Sequence, residues 1–194
     1  MGEIDERLNK IERVIKKDSF HKNKGLGNEI GYYIFDYEAK YELKVREYTK
    51  NLIDKINNNN CGFNIDEFDL YNIVVEILES EGFLDETFNL EGKKGLNKTN
   101  QVINKLLQLN SDRNNLIINH IKNNVLKNSV LFITGVGKVF PILRSHDVLN
   151  NLHQHIDKNP VVMFFPGEYT GHEFRLFGNI KDNNYYRAFP LIND

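Results

Sequence analysis

Two apolar runs joined by a segment with helical spacing constrain the fold of this chain more than any other feature. The runs are residues 130–134 and 160–165, and between them Val148, Leu152 and Ile156 recur every four residues. Continuous apolar strands are typical of a parallel sheet that helices cover on both faces. A strand, a helix and a second strand in one sheet form a parallel, right-handed unit. The sequence therefore predicts an α/β fold.

The first half of the chain repeats the order of a strand followed by a helix. Residues 30–36 are rich in aromatic and β-branched side chains, which predicts a strand, and Asp36 is interpreted as the N-cap of a helix over residues 41–56. Residues 61–65 predict a second strand, with Asp66 as the cap of the next helix. Both strands are expected to join the same sheet.

Other helical segments lie outside these strand and helix pairs. Residues 1–18 predict an amphipathic helix, which could pack on the body of the protein or on a partner. Residues 76–91 are dominated by acids and are interpreted as a solvated loop. Two apolar patterns within residues 84–127 predict a helical insertion. We expect one α/β domain over residues 1–194.

The end of the chain alternates between apolar and polar residues. Residues 174–177 and 185–189 are interpreted as strands because turn-favouring residues, including Asp182-Asn183-Asn184, lie between them. We expect a hairpin at the edge of the sheet. Ser145, before the helix that joins the two apolar runs, is interpreted as its N-cap.

Charge and cysteine content exclude several classes of protein. The formal net charge of −2 argues against a protein whose main task is to wrap nucleic acid. The single cysteine, Cys61, provides neither a disulfide framework nor a zinc ribbon. No apolar stretch approaches the length of a membrane span, and the charged amino terminus is unlike a signal peptide. We expect a cytoplasmic protein without membrane association.

The glycine turn after the first apolar run departs from the sequence of a phosphate-binding loop. Gly135-Val136-Gly137-Lys138 lacks the first glycine of a Walker loop, and Val139 stands where Ser or Thr would bind magnesium. Phe140 stands where a dinucleotide fingerprint has its third glycine. The pattern predicts a tight turn between a strand and a helix, and no cofactor is expected.

Charged residues follow both apolar runs, and the carboxyl ends of parallel strands meet at one edge of a sheet. We therefore expect the two loops to lie close together. The predicted ligand or partner loop consists of Gly135, Gly137, Lys138, Arg144, Glu168, Glu173 and Arg175. A hydrolase that uses Glu168, His172 and Glu173 is an alternative interpretation. The sequence contains no catalytic motif and no metal-ligand spacing. No catalytic residue and no metal ligand is therefore assigned.

Four stretches carry a resemblance to a known family. TGVGKVFPILRSHDVLNNL, PVVMFFPGEYTG, RLFG and DNNYYRAFPL resemble the BrxB family of bacteriophage-exclusion (BREX) defence systems, most strongly over residues 131–192. The resemblance implies a small cytoplasmic component of a system that blocks phage DNA replication and methylates host DNA. The predicted sheet looks similar to a Rossmann-like or P-loop-like nucleotide-binding fold that has lost its phosphate loop.

The resemblance leads to two functional hypotheses. The first is a non-enzymatic adaptor that binds PglZ, an alkaline-phosphatase-superfamily protein, and other BREX subunits, which would bring the chain to DNA only indirectly. The second is a regulatory module that binds a nucleotide or nucleic acid through Lys138, Arg144 and Arg175. The resemblance implies no catalytic residue.

Overall fold

The computed structural model of the chain describes residues 2–22, 31–109, 111, 114–182 and 188–192. The described strands are β1 (Tyr32–Tyr37), β2 (Asn64–Asp69), β3 (Ser129–Thr134), β4 (Val161–Tyr169), β5 (Phe174–Leu176), β6 (Ile180–Asp182) and β7 (Phe189–Pro190). The described helices are α1 (Glu3–Ile15), α2 (Asp18–Lys22), α3 (Glu42–Asn58), α4 (Leu70–Ser80), α5 (Leu84–Lys94), α6 (Leu96–Leu106), α7 (Leu116–Asn124), α8 (Val136–Val139) and α9 (Ser145–His155).

The sheet is mostly parallel and has the order β2-β3-β4-β1-β7. Strands β3 and β4 pair in parallel and α9 connects them, so the strand–helix–strand unit predicted from the two apolar runs is confirmed. Strand β5 pairs with the end of β4 in the antiparallel sense, and β6 extends this hairpin. The predicted fold class, an α/β protein with a mostly parallel sheet and flanking helices, is confirmed.

Helices cover both faces of the sheet because successive strand residues alternate between two cores. Phe35, Phe132 and Phe164 point to the face that α1 and α3 cover. Ile133 and Met163, by contrast, lie in the core that α4, α7 and α9 cover. Strands buried on both faces explain why the two apolar runs in the sequence are continuous.

Helix α1 packs on its own chain. Its buried residues are Ile4, Leu8, Ile11 and Ile15. Ion pairs connect it to α3, with Lys44 Nζ 2.6 Å from Asp5 Oδ1 and Lys55 Nζ 2.8 Å from Glu12 Oε2. The sequence left open whether this helix packs on the body of the protein or on a partner. In the structure its apolar side is buried against the rest of the chain.

The prediction that Asp36 caps a helix is wrong. Asp36 lies inside β1, and its carboxylate accepts a hydrogen bond from Arg7 at 2.7 Å and one from the backbone N–H of Tyr169 at 3.0 Å. Helix α3 begins at Glu42, after a 3-10 turn over Ala39–Tyr41. Asp36 therefore joins α1, β1 and β4.

Two further caps differ from the predictions. Strand β2 extends to Asp69, and this carboxylate accepts hydrogen bonds from the N–H groups of Tyr71 and Asn72, both at 3.1 Å. Asp66 instead accepts hydrogen bonds from the backbone N–H of Leu126 and the hydroxyl of Ser129, at the start of β3. Ser145 is the first residue of α9 rather than its cap, and the residue at the cap position, Arg144, makes no side-chain capping hydrogen bond.

The predicted solvated loop over residues 76–91 is also wrong, because most of it is helical. Helix α4 continues to Ser80 and α5 begins at Leu84. Asp85 and Glu86 lie in the first turn of α5 and Lys93 and Lys94 lie in its last turn, an arrangement that the helix dipole favours. Only Thr87 of α5 is buried, so the helix has a weak apolar pattern.

The carboxyl-terminal hairpin exists but uses other residues. Strand β4 continues beyond the apolar run over residues 160–165, as far as Tyr169, and its end pairs with β5. The second strand of the hairpin is β6, while Phe189 lies in β7 and pairs in parallel with β1 at the opposite edge. The rest of the predicted strand, residues 185–187, lies outside the described residues.

Candidate functional site

The glycine turn after β3 is held by an acidic residue from the neighbouring strand. Gly135 adopts a left-handed conformation with φ of 72°. A Cβ at this position would clash with the Asp69 carboxylate. The same carboxylate forms an ion pair with Lys138, whose ammonium group lies 5.5 Å from the ring centroid of Tyr71. Lys138 is therefore bound within the chain, beside a carboxylate that would repel a phosphate.

The loops after β3 and β4 lie next to each other. A Cβ at Gly137 would be 3.0 Å from both Phe177 and Pro166, so the short helix α8 packs closely on the β4–β5 end of the sheet. Arg144 lies further along, directly before α9, and its side chain is exposed. The glycine turn and Arg144 thus occupy the same end of the molecule as the hairpin.

The remaining predicted residues form a separate charged cluster on the β4–β5–β6 hairpin. Glu173 Oε1 lies 2.7 Å from Lys181 Nζ, and Glu173 Oε2 lies 3.5 Å from Arg175. Glu168 is exposed and stands opposite Arg175 in the pairing of β4 with β5. The structure therefore brings the predicted residues to one end, where ion pairs within the chain neutralise several of them.

The Glu173 cluster has an expected effect on titration. The hydrogen bond from Lys181 lowers the pKa of Glu173 below its ordinary value of 4.5, and Arg175 contributes less. Because the folded pKa is depressed, the stabilisation exists above pH 4.5 and is lost as the pH falls through the folded value. We expect Lys181→Gln to raise the pKa of Glu173 towards 4.5, as measured by NMR of its side-chain carboxyl carbon.

Arg175→Gln is the matched control for this titration, since it removes the second and more distant cation from the same carboxylate. The rise in the pKa of Glu173 should be smaller than for Lys181→Gln. An equal or larger rise in the Arg175 variant would show that the ion pairs are arranged differently in solution.

The histidines of the chain have structural neighbours. His146 Nε2 lies 2.8 Å from Asp147 Oδ1, and the His153 ring lies 5.3 Å from the Tyr32 ring. Within the described ranges, no three His, Cys, Asp or Glu side chains are grouped so that they could hold a metal ion. Among those same residues, no helix combines the length and apolar character needed to cross a membrane.

A groove at the β7 edge of the sheet was not predicted. It has a volume of about 760 Å³ and lies between α1, α2 and β7. Three cations line the groove: Lys10, Arg13 and Lys17. Its aromatic and apolar walls are formed by Phe20, Tyr33, Phe189, Pro190, Leu191 and Ile192. We call this feature the edge groove. The spacing of its cations, two in α1 and one just after it, is visible in the sequence, but the position of β7 beside β1 is not.

Comparisons with known proteins agree with the resemblance seen in the sequence. The family model described as "BREX protein BrxB" matches residues 66–191. The chain belongs to the BrxB family of BREX phage-defence systems. A BREX protein BrxB from Bacillus cereus (strain H3081.97) is 51% identical over 193 residues, which cover 100% of both chains. One from Escherichia coli O9:H4 (strain HS) is 31% identical over 198 residues, covering 98% of this chain and 92% of the relative.

The predicted family is therefore confirmed, and the likeness extends through the amino-terminal half that carries α1 and β1. No solved structure matches this BrxB-family chain. The cations of the edge groove lie before residue 66, outside the part that the family model matches but within the part that both relatives cover.

Proposed function

We propose that this BrxB-family chain is a non-enzymatic adaptor of a BREX complex and binds the PglZ-type, alkaline-phosphatase-superfamily protein of the same system. The observation that carries the proposal is the edge groove, which combines exposed aromatic surface with three cations that pair with no described residue. Other BREX subunits would join through the same assembly.

The apolar part of the edge groove has the character of an interface core. Phe189 is 39% exposed at the open edge of the sheet. Its ring lies 6.3 Å from that of Tyr33, which stacks on Phe20 at 4.8 Å. Aromatic side chains are enriched in protein interfaces because they bury a large area at a small cost in conformational entropy. A partner side chain placed here would cover Phe189 and extend this aromatic row.

The charged rim indicates what kind of partner segment fits. Lys10, Arg13 and Lys17 form no ion pair with any residue that the structure describes. By contrast, Arg7 in α1 pairs with Asp36, and Lys16 at the end of the helix pairs with Glu12. Opposite charges across an interface speed association and exclude wrong partners. The groove therefore suits a segment of the PglZ-type protein that carries acids beside apolar anchors.

The residues predicted as a partner loop are less suited to this role. Lys138 is bound to Asp69, and Glu173 is bound to Lys181 and Arg175. A partner that recruited these side chains would first have to break contacts within the chain. We therefore place the contact with the PglZ-type protein at the edge groove.

The same groove supports a second candidate function, the binding of single-stranded nucleic acid. Cations beside stacked aromatic rings are the features that such ligands use, and binding of this kind weakens steeply as salt rises. In this candidate function the phosphate groups would contact Lys10, Arg13 and Lys17 of the groove. The sequence had instead predicted phosphate contacts at Lys138, Arg144 and Arg175. Salt-dependent binding of an oligonucleotide, without binding of the PglZ-type protein, would favour this candidate.

The test is copurification with a tagged PglZ-type protein from the same system. We expect the double variant Lys10→Glu with Arg13→Glu to bind the PglZ-type protein at least tenfold more weakly, because the reversed charges would repel the acids of the partner. The matched control is Lys50→Glu with Lys122→Glu, which reverses two exposed lysines outside the groove. Equal recovery of the groove variant and the control would contradict the proposed contact.

A further inference from the structure

We propose that a small cavity between α9 and the β4–β5–β6 hairpin binds a compact branched carboxylate, with the apolar end inside and the carboxylate beside Arg144. This cavity lies apart from the edge groove, and the inference does not depend on the adaptor function. The ligand is either a free short-chain acid or the carboxyl-terminal residue of a polypeptide. Both present the same chemistry.

The interior of the cavity is apolar and small. Its volume is about 70 Å³, and its walls include Phe140, Leu143, Phe165, Phe174 and Leu176. A dry cavity of about 150 Å³ accommodates benzene, so this volume suits about three or four carbon atoms. An isopropyl or isobutyl group is of that size, whereas inorganic phosphate would leave the apolar walls without contacts.

The polar end of the cavity carries a hydroxyl that none of the described residues bonds. The Ser145 side chain lines the cavity and is 7% exposed, yet its hydroxyl has no hydrogen-bond partner among the described residues. Because its oxygen is not one of the fully buried side-chain atoms without a partner, the hydroxyl is open to the cavity. It can therefore bond a polar group of a ligand that enters there.

The charge at this end favours an anion. Arg144 lines the cavity and forms no ion pair with the residues that the structure describes. Ser145 begins α9, an 11-residue helix whose N-cap residue, Arg144, makes no capping hydrogen bond, so its first N–H groups carry partial positive charge. Lys181 also lines the cavity but is shared with Glu173. Arginine binds a planar carboxylate through two parallel hydrogen bonds, which selects this group over a neutral amide.

One acidic side chain lies near the proposed site. Asp147 is in the first turn of α9, where it competes for the positive end of the helix. It pairs with His146 at 2.8 Å and does not line the cavity. The cavity itself is lined by two cations and no acid.

The test uses the free full-length chain labelled with nitrogen-15. 3-Methylbutanoate and a short peptide ending in valine are titrated separately, each beside its uncharged amide. We expect a saturable shift of the Ser145 and His146 backbone signals with at least one carboxylate and no comparable shift with either amide. Saturation by the free acid alone identifies a small-molecule site, and saturation by the peptide alone identifies a chain terminus. The absence of saturable shifts, or equal binding of acid and amide, would overturn the proposal.

Variants distinguish the proposed contacts from a general effect of charge. Arg144→Gln should weaken carboxylate binding about tenfold, because a charge-assisted hydrogen bond is lost. Ser145→Ala should weaken it several-fold. Arg175→Gln removes an exposed arginine from the same hairpin that does not line the cavity, so binding should be unchanged. Equal loss in the Arg144 and Arg175 variants would overturn the assignment of the site.

Discussion

The substitution Gly135→Ala is expected to lower the free energy of unfolding by about 3 kcal/mol, as the sum of two effects. Alanine in the left-handed conformation that Gly135 adopts costs about 1 kcal/mol. The added Cβ would also displace the Asp69 carboxylate, which caps α4 and holds Lys138. Urea denaturation monitored by circular dichroism measures the loss.

Gly82→Ala separates these two effects. Gly82 has φ of 75°, close to the value at Gly135, but a Cβ there would meet no atom within 4 Å. Gly82→Ala should therefore lower the free energy of unfolding only by the conformational part, about 1 kcal/mol. An equal loss of stability in both variants would show that the close contact between Gly135 and the Asp69 carboxylate does not stabilise the turn. It would contradict the structural role assigned to the glycine turn.

Phe164→Ala is expected to lower the free energy of unfolding by about 4 kcal/mol. Phe164 is 2% exposed in the middle of the sheet, with ring centroids 4.9 Å from Phe132 and 5.7 Å from Phe35. Truncation would remove this aromatic packing and leave a cavity under α1 and α3. A domain with a typical stability of about 5 to 15 kcal/mol would lose a large part of it.

Phe88→Ala is the matched control because it makes the same change on α5 at a side chain that is 61% exposed. Its effect should stay within about 0.5 kcal/mol, as for most surface substitutions. The two midpoints of urea denaturation, compared at equal slope, measure the difference. A similar loss in both variants would mean that the packing of the α1 and α3 face is not as described.

The parts of the fold that follow from hydrophobic burial could be predicted from the sequence. The apolar runs that became β3 and β4 are buried on both faces, and that burial requires helices on each side. The apolar stripe of α1 was equally informative, because four of its residues face the core. These elements are determined by their own composition.

The local details were less predictable because they depend on partners distant in sequence. An aspartate before a helical segment fits a cap, yet Asp36 is bound by Arg7 from α1 and by the backbone of Tyr169. The cap of α4 is Asp69, three residues after the predicted Asp66, because β2 is longer than its apolar pattern indicates. Strand length is set by pairing with β3, which a single strand does not reveal.

The candidate sites show the same limit. The sequence placed Lys138 and Glu173 at one end of the sheet, but it could not show that Asp69 and Lys181 bind them. Nor could it show that Phe189 reaches the edge beside β1 and forms a groove with α1. Ion pairs and grooves between distant segments require the register of the strands.

The most direct test of the adaptor account is the mass of a mixture of this chain with the PglZ-type protein, measured by light scattering after size-exclusion chromatography. The account predicts one species whose mass exceeds that of the PglZ-type protein by 22.7 kDa or a multiple of it. Two separate species, one of them at the mass of this chain alone, would contradict the account.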